Sequence, residues 1–399
     1  MAASATWSLD AGSTAASSGT RFLVYPQPPF VPGYERPEPV WLPFPPGEIA
    51  PGPESRLAYV RDPILPKAPY ESPYLPPYRG LSHPRAEPGP DGHFDHLEPG
   101  SRAFMAAHAF ACVHRVLDIC ENYAGRPLPW FFTSNFEKLE IVPNFPWNNA
   151  QSGFGFIELG EDDSSDIPFP FALNFDVIAH EVAHLVLFSA LGPPRTGAPT
   201  ADFGAYHEAV SDFLSLVGLL HFDTALDRIL RRTRGNLLVM NELDRFAELT
   251  DERQVRRLSH SLRLPDVGSE VHDRSRPFAG AFFDALIEVY QVILFERGLT
   301  ELDPRDFSYL RMELGAHELE RQLQTTAEDY ALRHFAVKAA LADARDILGR
   351  TLARSWRFLE ADGLSFGDAR EALVLAARSG PDRAYADLIA ANFAWRGFG

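Results

Sequence analysis

The segment His180-Glu181-Val182-Ala183-His184 holds the residue types best able to do chemistry in this chain. On a helix, two histidines four residues apart project from one face. There they can hold one metal ion, and zinc accepts imidazole nitrogen in tetrahedral sites. Glu181 lies slightly round the helix, within reach of a zinc-bound water. Zinc lowers the pKa of that water toward neutrality, and the glutamate can take its proton. The surrounding stretch from Phe175 to Ala190 is otherwise apolar almost all round, with Val177, Ile178, Val182, Leu185, Val186, Leu187 and Phe188. Such a helix is buried on most sides. Burying His, Glu and His there without a ligand or partner costs several kcal/mol. The rival reading is a hydrogen-bonded pair of core histidines.

A catalytic zinc takes three protein ligands and leaves one position open. No histidine follows at the metzincin spacing, because His184 leads into Leu185-Val186-Leu187-Phe188-Ser189-Ala190. The better third ligand is Glu208, in Gly204-Ala205-Tyr206-His207-Glu208-Ala209-Val210-Ser211-Asp212. Glu208 and Asp212 are again i and i+4. One carboxylate can bind metal while the next orients a ligand histidine through its second ring nitrogen. The alternative, a solvated acidic face, fits poorly with Ala209, Val210, Phe213, Leu214, Leu216 and Val217 around the pair.

The elements that must position these groups fall into two halves. Residues 1–20 are rich in Ala, Ser, Thr and Gly and read as a disordered tail. Residues 22–100 are dense in proline, which forbids continuous helix and leaves short extended segments and turns. A polyproline ligand tail is the other reading of that stretch. Phe104 to Tyr123 has helical spacing and stops at Gly125 and Pro127. Residues 129–172 read as strands and loops. After Gly192-Pro193-Pro194 the pattern is helical, from about Tyr206 to Leu220 and then over 277–297, 304–323, 326–357, 366–378 and 383–394.

Composition sets outer bounds. The 399 residues suffice for two or three domains. A formal charge of −17 argues against a nucleic-acid binder, whose phosphate contacts need a basic face. Cys112 and Cys120 are too few for a disulfide scaffold and read as buried apolar residues. The start has no basic and apolar signal pattern, and no apolar run approaches a membrane span, so the default location is cytoplasmic, with leaderless export open. His83, His93 and His96 read as exposed loop histidines, with a second metal site as the rival.

In order along the chain, these motifs resemble the thermolysin-like peptidases among the gluzincins. Asp176-Val177-Ile178-Ala179 precedes the zinc motif as in that family, and Gly204 to Asp212 resembles its third-ligand helix. Asn149-Ala150, followed by Phe154-Gly155-Phe156, resembles the edge strand that binds substrate backbone. Val271-His272 with Ser275 resembles the segment whose histidine stabilises the oxyanion, and Asp266 resembles its carboxylate partner. Arg256, in Val255-Arg256-Arg257, is the match for the arginine on the substrate carbonyl. Ala107-His108 with Val113, and Phe366 to Asn392-Phe393, resemble the first long helix and the last two.

The resemblance implies an α+β, two-lobed metallopeptidase. A mixed, strand-rich N-terminal lobe (21–190) would carry the zinc helix, and an all-α C-terminal lobe (191–399) would complete the site. It implies one zinc on His180, His184 and Glu208, Glu181 as general base, and Asp212 and Asp176 as supporting carboxylates. The expected substrate is a peptide or protein, with no nucleic-acid or membrane partner. Two departures stand out. Leu185 to Ala205 contains no tyrosine, where the family has a second oxyanion donor, and Tyr206 is the only nearby phenol. Losing one such donor costs roughly 100- to 1,000-fold in rate; His207 is a candidate substitute. Leu219 and Leu220 stand where the family's paired calcium site needs carboxylates, so that site is expected to be missing. A catalytically impaired zinc protein that binds a peptide or partner is the alternative reading.

Overall fold

A computed structural model describes residues 18–399 except 65–66, 73, 163–168, 196–198, 238–242, 244, 251–252 and 302–315, and only the backbone of 245–250, 253–256 and 316–329. The fold is mixed α+β, with a small sheet region and a helical C-terminal region. By contacts it divides into two compact units. The first comprises the described residues up to Ile119 with Leu128–Ser189 and Ala247–Arg253; the second comprises Cys120–Pro127, Ala190–Phe246 and Gln254–Gly399.

In the first unit the proline-rich stretch forms short strands, as its lack of helix-compatible spacing requires. Strand β1 (Thr20–Val24) pairs antiparallel with β2 (Glu38–Leu42). Thr20, read as tail, is therefore a buried strand residue; residues 1–17 lie outside the described residues. Strands β3 (Ala58–Val60), β4 (Leu139–Val142), β5 (Ala150–Gly153) and β6 (Phe156–Leu159) make a four-stranded sheet in the order β3-β4-β6-β5. The pairs β3–β4 and β4–β6 are parallel, and β5 lies antiparallel on the edge. Two short strands follow, β7 (Glu161–Asp162) and β8 (Phe169–Pro170). Helix α1 (Arg102–Ala124), which belongs to this unit as far as Ile119, buries both cysteines without a disulfide, and helix α2 (Phe175–Leu191) carries the His-Glu-His motif.

The second unit is built on α3 (Ala201–Leu219), α4 (Asp223–Thr233), α5 (Val271–Glu296), α6 (Ala316–Ser355), α7 (Phe366–Ser379) and α8 (Ala386–Trp395). Its core includes an aromatic cluster on Phe278, which packs against Tyr206, Phe282, Phe366, Phe393 and Phe398 at centroid distances of 4.8–5.8 Å.

Three expectations change. The C-terminal half is not all-α, because β9 (Arg245–Thr250) and β10 (Arg253–Arg257) pair as a two-stranded sheet. Their charged sequence, Arg245–Thr250 and Arg253–Arg257, hid them. The helices expected over 304–323 and 326–357 are replaced by the single helix α6, with 302–315 outside the described residues. Finally, α1 and α5 are long and apolar enough to cross a membrane by length and composition, contrary to the sequence reading. Their apolar windows are 83% and 89% buried inside the protein, so core packing accounts for the hydrophobicity.

Candidate metal centre

Helix α2 starts after Asn174, whose side-chain Oδ1 accepts from the N–H groups of Asp176 and Val177. That is ordinary N-terminal capping, satisfying donors the first turn leaves orphaned. Asp176 is buried, and its Oδ2 accepts from the Gln27 side chain at 2.9 Å. One turn on, His180 and Glu181 are buried and His184 is half-buried. The two rings meet edge to face at 4.7 Å, and their Nε2 atoms stand 3.1 Å apart. Two ligands at zinc–nitrogen distances of about 2.0–2.1 Å on a tetrahedral ion stand about 3.3 Å apart. The pair therefore already has the spacing of two ligands on one ion.

Glu208 sits on α3, which opens at Thr200, whose hydroxyl accepts from Phe203 N–H. One ligand atom each from His180, His184 and Glu208 lies within 4.8 Å of the others. Among the described residues this is the one such group of three, so the loop histidines His83, His93 and His96 do not form another. Two imidazoles and a carboxylate are a donor set that suits a divalent transition ion.

Around Glu208, the start of α5 is set by close contact with α3. A Cβ added to Gly204 would meet Val271 Cγ1 at 3.0 Å, so the absence of a side chain lets Val271 approach. Arg274 donates from Nε to Asp202 Oδ1 at 2.6 Å, and the second oxygen of Asp202 accepts from Phe366 N–H at 3.1 Å. These contacts tie the first turns of α3, α5 and α7 together. They set His272 with Nε2 3.5 Å from Glu208 Oε2.

The other nitrogen of His272 finds a different partner from the one expected. Its Nδ1 lies 2.7 Å from Glu270 Oε1. Glu270 also caps α5 by accepting from Asp273 N–H. These contacts, led by the one with His272, hold the Glu270 carboxyl down to about 2. Asp266 instead ends a 3-10 turn, Leu264–Asp266, where its Oδ2 accepts from Arg263 N–H. The carboxylate on His272 Nδ1 is therefore the helix N-cap Glu270 rather than Asp266. A carboxylate two residues before His272 is a signal the sequence did carry.

The remaining expected residues are placed as follows. Asp212 is buried one turn beyond Glu208. Asn149 is exposed, and its side chain accepts from Ala150 N–H at the start of the edge strand β5. Arg256 lies on β10, and its side chain is outside the described residues. Tyr206 is fully buried with its ring against Phe278, and burial raises its hydroxyl pKa. His207 is buried against Phe203, with ring centroids 4.4 Å apart. Leu219 and Leu220 are both buried.

No known family profile matches the chain, and no curated protein sequence matches it. Among solved structures, one similar chain is the precursor of protealysin, a metalloproteinase from Serratia proteamaculans, at 13% identity and a TM-score of 0.45, covering 80% of this chain and 83% of that one.

Proposed function

We propose that this chain is a zinc-dependent endopeptidase of the thermolysin-like kind. The observation that carries the reading is the convergence of His180, His184 and Glu208, with Glu181 beside His180 on the same buried helix. Those three residues would hold the ion. Zinc bound there would polarise a peptide carbonyl and lower the pKa of water.

The chain's own residues do the rest. Glu181 takes a proton from the attacking water and passes it to the leaving amine. His272 donates toward the carbonyl oxygen as negative charge develops, and Glu270 fixes the ring that does so. Asp212 orients a ligand imidazole, and Asp176, held by Gln27, supports the start of the ligand helix. Edge strand β5, entered through Asn149 and Ala150, aligns an extended substrate by strand addition. Arg256 is assigned to a substrate carbonyl, and the partner is a peptide or protein.

A second reading keeps the zinc and the binding of a peptide or protein partner but not turnover. It rests on Tyr206, the one phenol near Glu208 in sequence, whose ring is committed to the core beside Phe278. One experiment separates the two: metal analysis with a peptide-library cleavage assay on the wild-type chain and Glu181→Gln. The peptidase reading expects about one zinc per chain in both and a roughly 100- to 10,000-fold loss of cleavage in the variant. Zinc without cleavage in the wild type favours the binding protein. Full cleavage by Glu181→Gln overturns the mechanism.

A further inference from the structure

The first unit contains a cavity of about 270 Å³ far from the His-Glu-His motif in sequence, walled by Arg61, Asp62, His83, Arg85, Arg102 and the first turn of α1. Its charge is unusual for a chain of formal charge −17. The one acid in the wall, Asp62, is buried and takes both oxygens to Arg102, through Nε at 2.7 Å and through Nη2. That pair cancels. Arg61 and Arg85 remain, and neither has a carboxylate partner among the described residues; Arg61 rests over the Tyr59 ring at 5.4 Å. Arg61, half-buried, and Arg85, exposed, therefore give the cavity wall two positive charges without a carboxylate partner, with His83 beside them in the wall.

The helix adds to the same sign. Ala103 and Ala106 of α1 line the wall, and the first turn of this 23-residue helix has no acidic residue. The carboxylate at this helix start, that of Asp62, is engaged by Arg102. Ser101 accepts from Phe104 N–H, which caps one donor of that turn.

We infer that this cavity is a binding site for a phosphate monoester of small-molecule size. Guanidinium forks match phosphate oxygens in pairs, and a dianion balances the charges of Arg61 and Arg85. The volume is just below the range of small-ligand pockets, large enough for a phosphoryl group with a short organic portion. The site is independent of the metal centre, and its test does not depend on catalysis.

Calorimetric titration of the full chain at constant ionic strength tests it, with inorganic phosphate, phosphoserine and succinate as probes. Phosphoserine should bind saturably and more tightly than inorganic phosphate, while succinate, a dicarboxylate, should bind weakly or not at all. Arg85→Gln and Arg61→Gln should each weaken phosphoserine binding roughly tenfold to a hundredfold, the loss of one charge-assisted hydrogen bond. Ala103→Asp should abolish binding while leaving the melting temperature unchanged or raised, since an acid suits a helix N-terminus. Inorganic phosphate binding as tightly as phosphoserine would reduce the site to a simple anion site and overturn the assignment. So would tighter binding of succinate, no saturable binding of any probe, or equal phosphoserine affinity in all three folded variants.

Discussion

His272 stands with Nε2 3.5 Å from Glu208 Oε2 and with Nδ1 2.7 Å from Glu270 Oε1. One ring thus links the carboxylate assigned to the metal with a second, exposed carboxylate. A protonated Glu270 could not play this part as well, and its carboxyl is held at about 2, first by the His272 contact and then by backbone N–H groups. A group lowered in this way keeps its charge as pH falls and gives it up only near its shifted value.

From that relationship, His272→Phe should leave metal content intact and lower kcat by roughly 100- to 1,000-fold, as loss of an oxyanion donor does. Glu270→Gln should lower kcat less, and by the same factor at every pH above about 4, because the wild-type carboxyl remains ionised there. Asp266→Asn should leave the rate unchanged. A rate loss in Asp266→Asn equal to that in Glu270→Gln would return the orienting role to Asp266.

Gly204 makes a separate prediction. Alanine there gains about 1 kcal/mol of helix propensity, while a Cβ 3.0 Å from Val271 Cγ1 forces a neighbour to shift. Overpacking of this kind typically costs 1–3 kcal/mol, about enough to cancel the gain. Val271 is the first residue of α5 and only half-buried, so it can yield. Its yielding moves His272. Gly204→Ala should therefore change the midpoint of urea unfolding little while lowering kcat/KM clearly. Wild-type kcat/KM in that variant would show that the α3–α5 approach does not position His272.

How much of this was legible in sequence depended on whether local pattern or long-range contact fixed the feature. Helix α2 was readable because its apolar residues surround a polar triplet whose spacing belongs to one helical face. Helix α5 was not read correctly at its start: Pro277 suggests a helix opening, since proline suits the first turn, yet the helix begins at Val271 with Pro277 inside it. The missed turn is the one that carries His272. The pair β9–β10 was missed because Arg245–Arg257 has neither a clean two-residue nor a helical apolar period. Gln27 on Asp176 joins residues 149 apart, and no local signal could announce it.

Acid should weaken the first unit through two core histidines on α1. Burial lowers His108 to about 4 and His114 to about 3, and the nearby charge of Arg56 adds to the effect on His114. Tyr25 N–H donates to His108 Nε2, which requires a free lone pair there. Both folded values lie below the roughly 6.5 of an exposed imidazole. Their neutral forms are thus fully accommodated above that pH, and stability is lost as pH falls from it toward the folded values. The slope is about 1.4 kcal/mol per pH unit for each histidine. His114→Phe, which keeps the ring packing on Phe44 and Phe110, should flatten the dependence of urea unfolding between about pH 6.5 and 4.5. An unchanged slope would mean that His114 does not titrate with unfolding.

The last prediction concerns the proline-rich stretch and the sheet beneath it. Lys67 and Glu158 form an ion pair with both side chains fully buried. Glu158 also accepts from Tyr70 N–H at 2.9 Å and from the Gln151 side chain at 2.6 Å. Gln151 belongs to β5, so the pair links the 67–70 segment to the edge strand. Removing one partner of a buried pair strands the other charge and costs roughly 3–5 kcal/mol. Lys67→Met should therefore destabilise the chain by about that much in urea unfolding. Adding Glu158→Gln should recover most of the loss, because the amide oxygen still accepts from Tyr70 N–H while the stranded charge is gone. Hydrogen exchange supplies the local readout: amides of Ala150–Gly153 should exchange faster in Lys67→Met and return toward wild type in the double variant. A single variant that loses stability without recovery in the double would assign the effect to the lost contact of the ammonium with the Tyr70 ring, whose centroid lies 3.6 Å from Nζ, rather than to the uncompensated carboxylate.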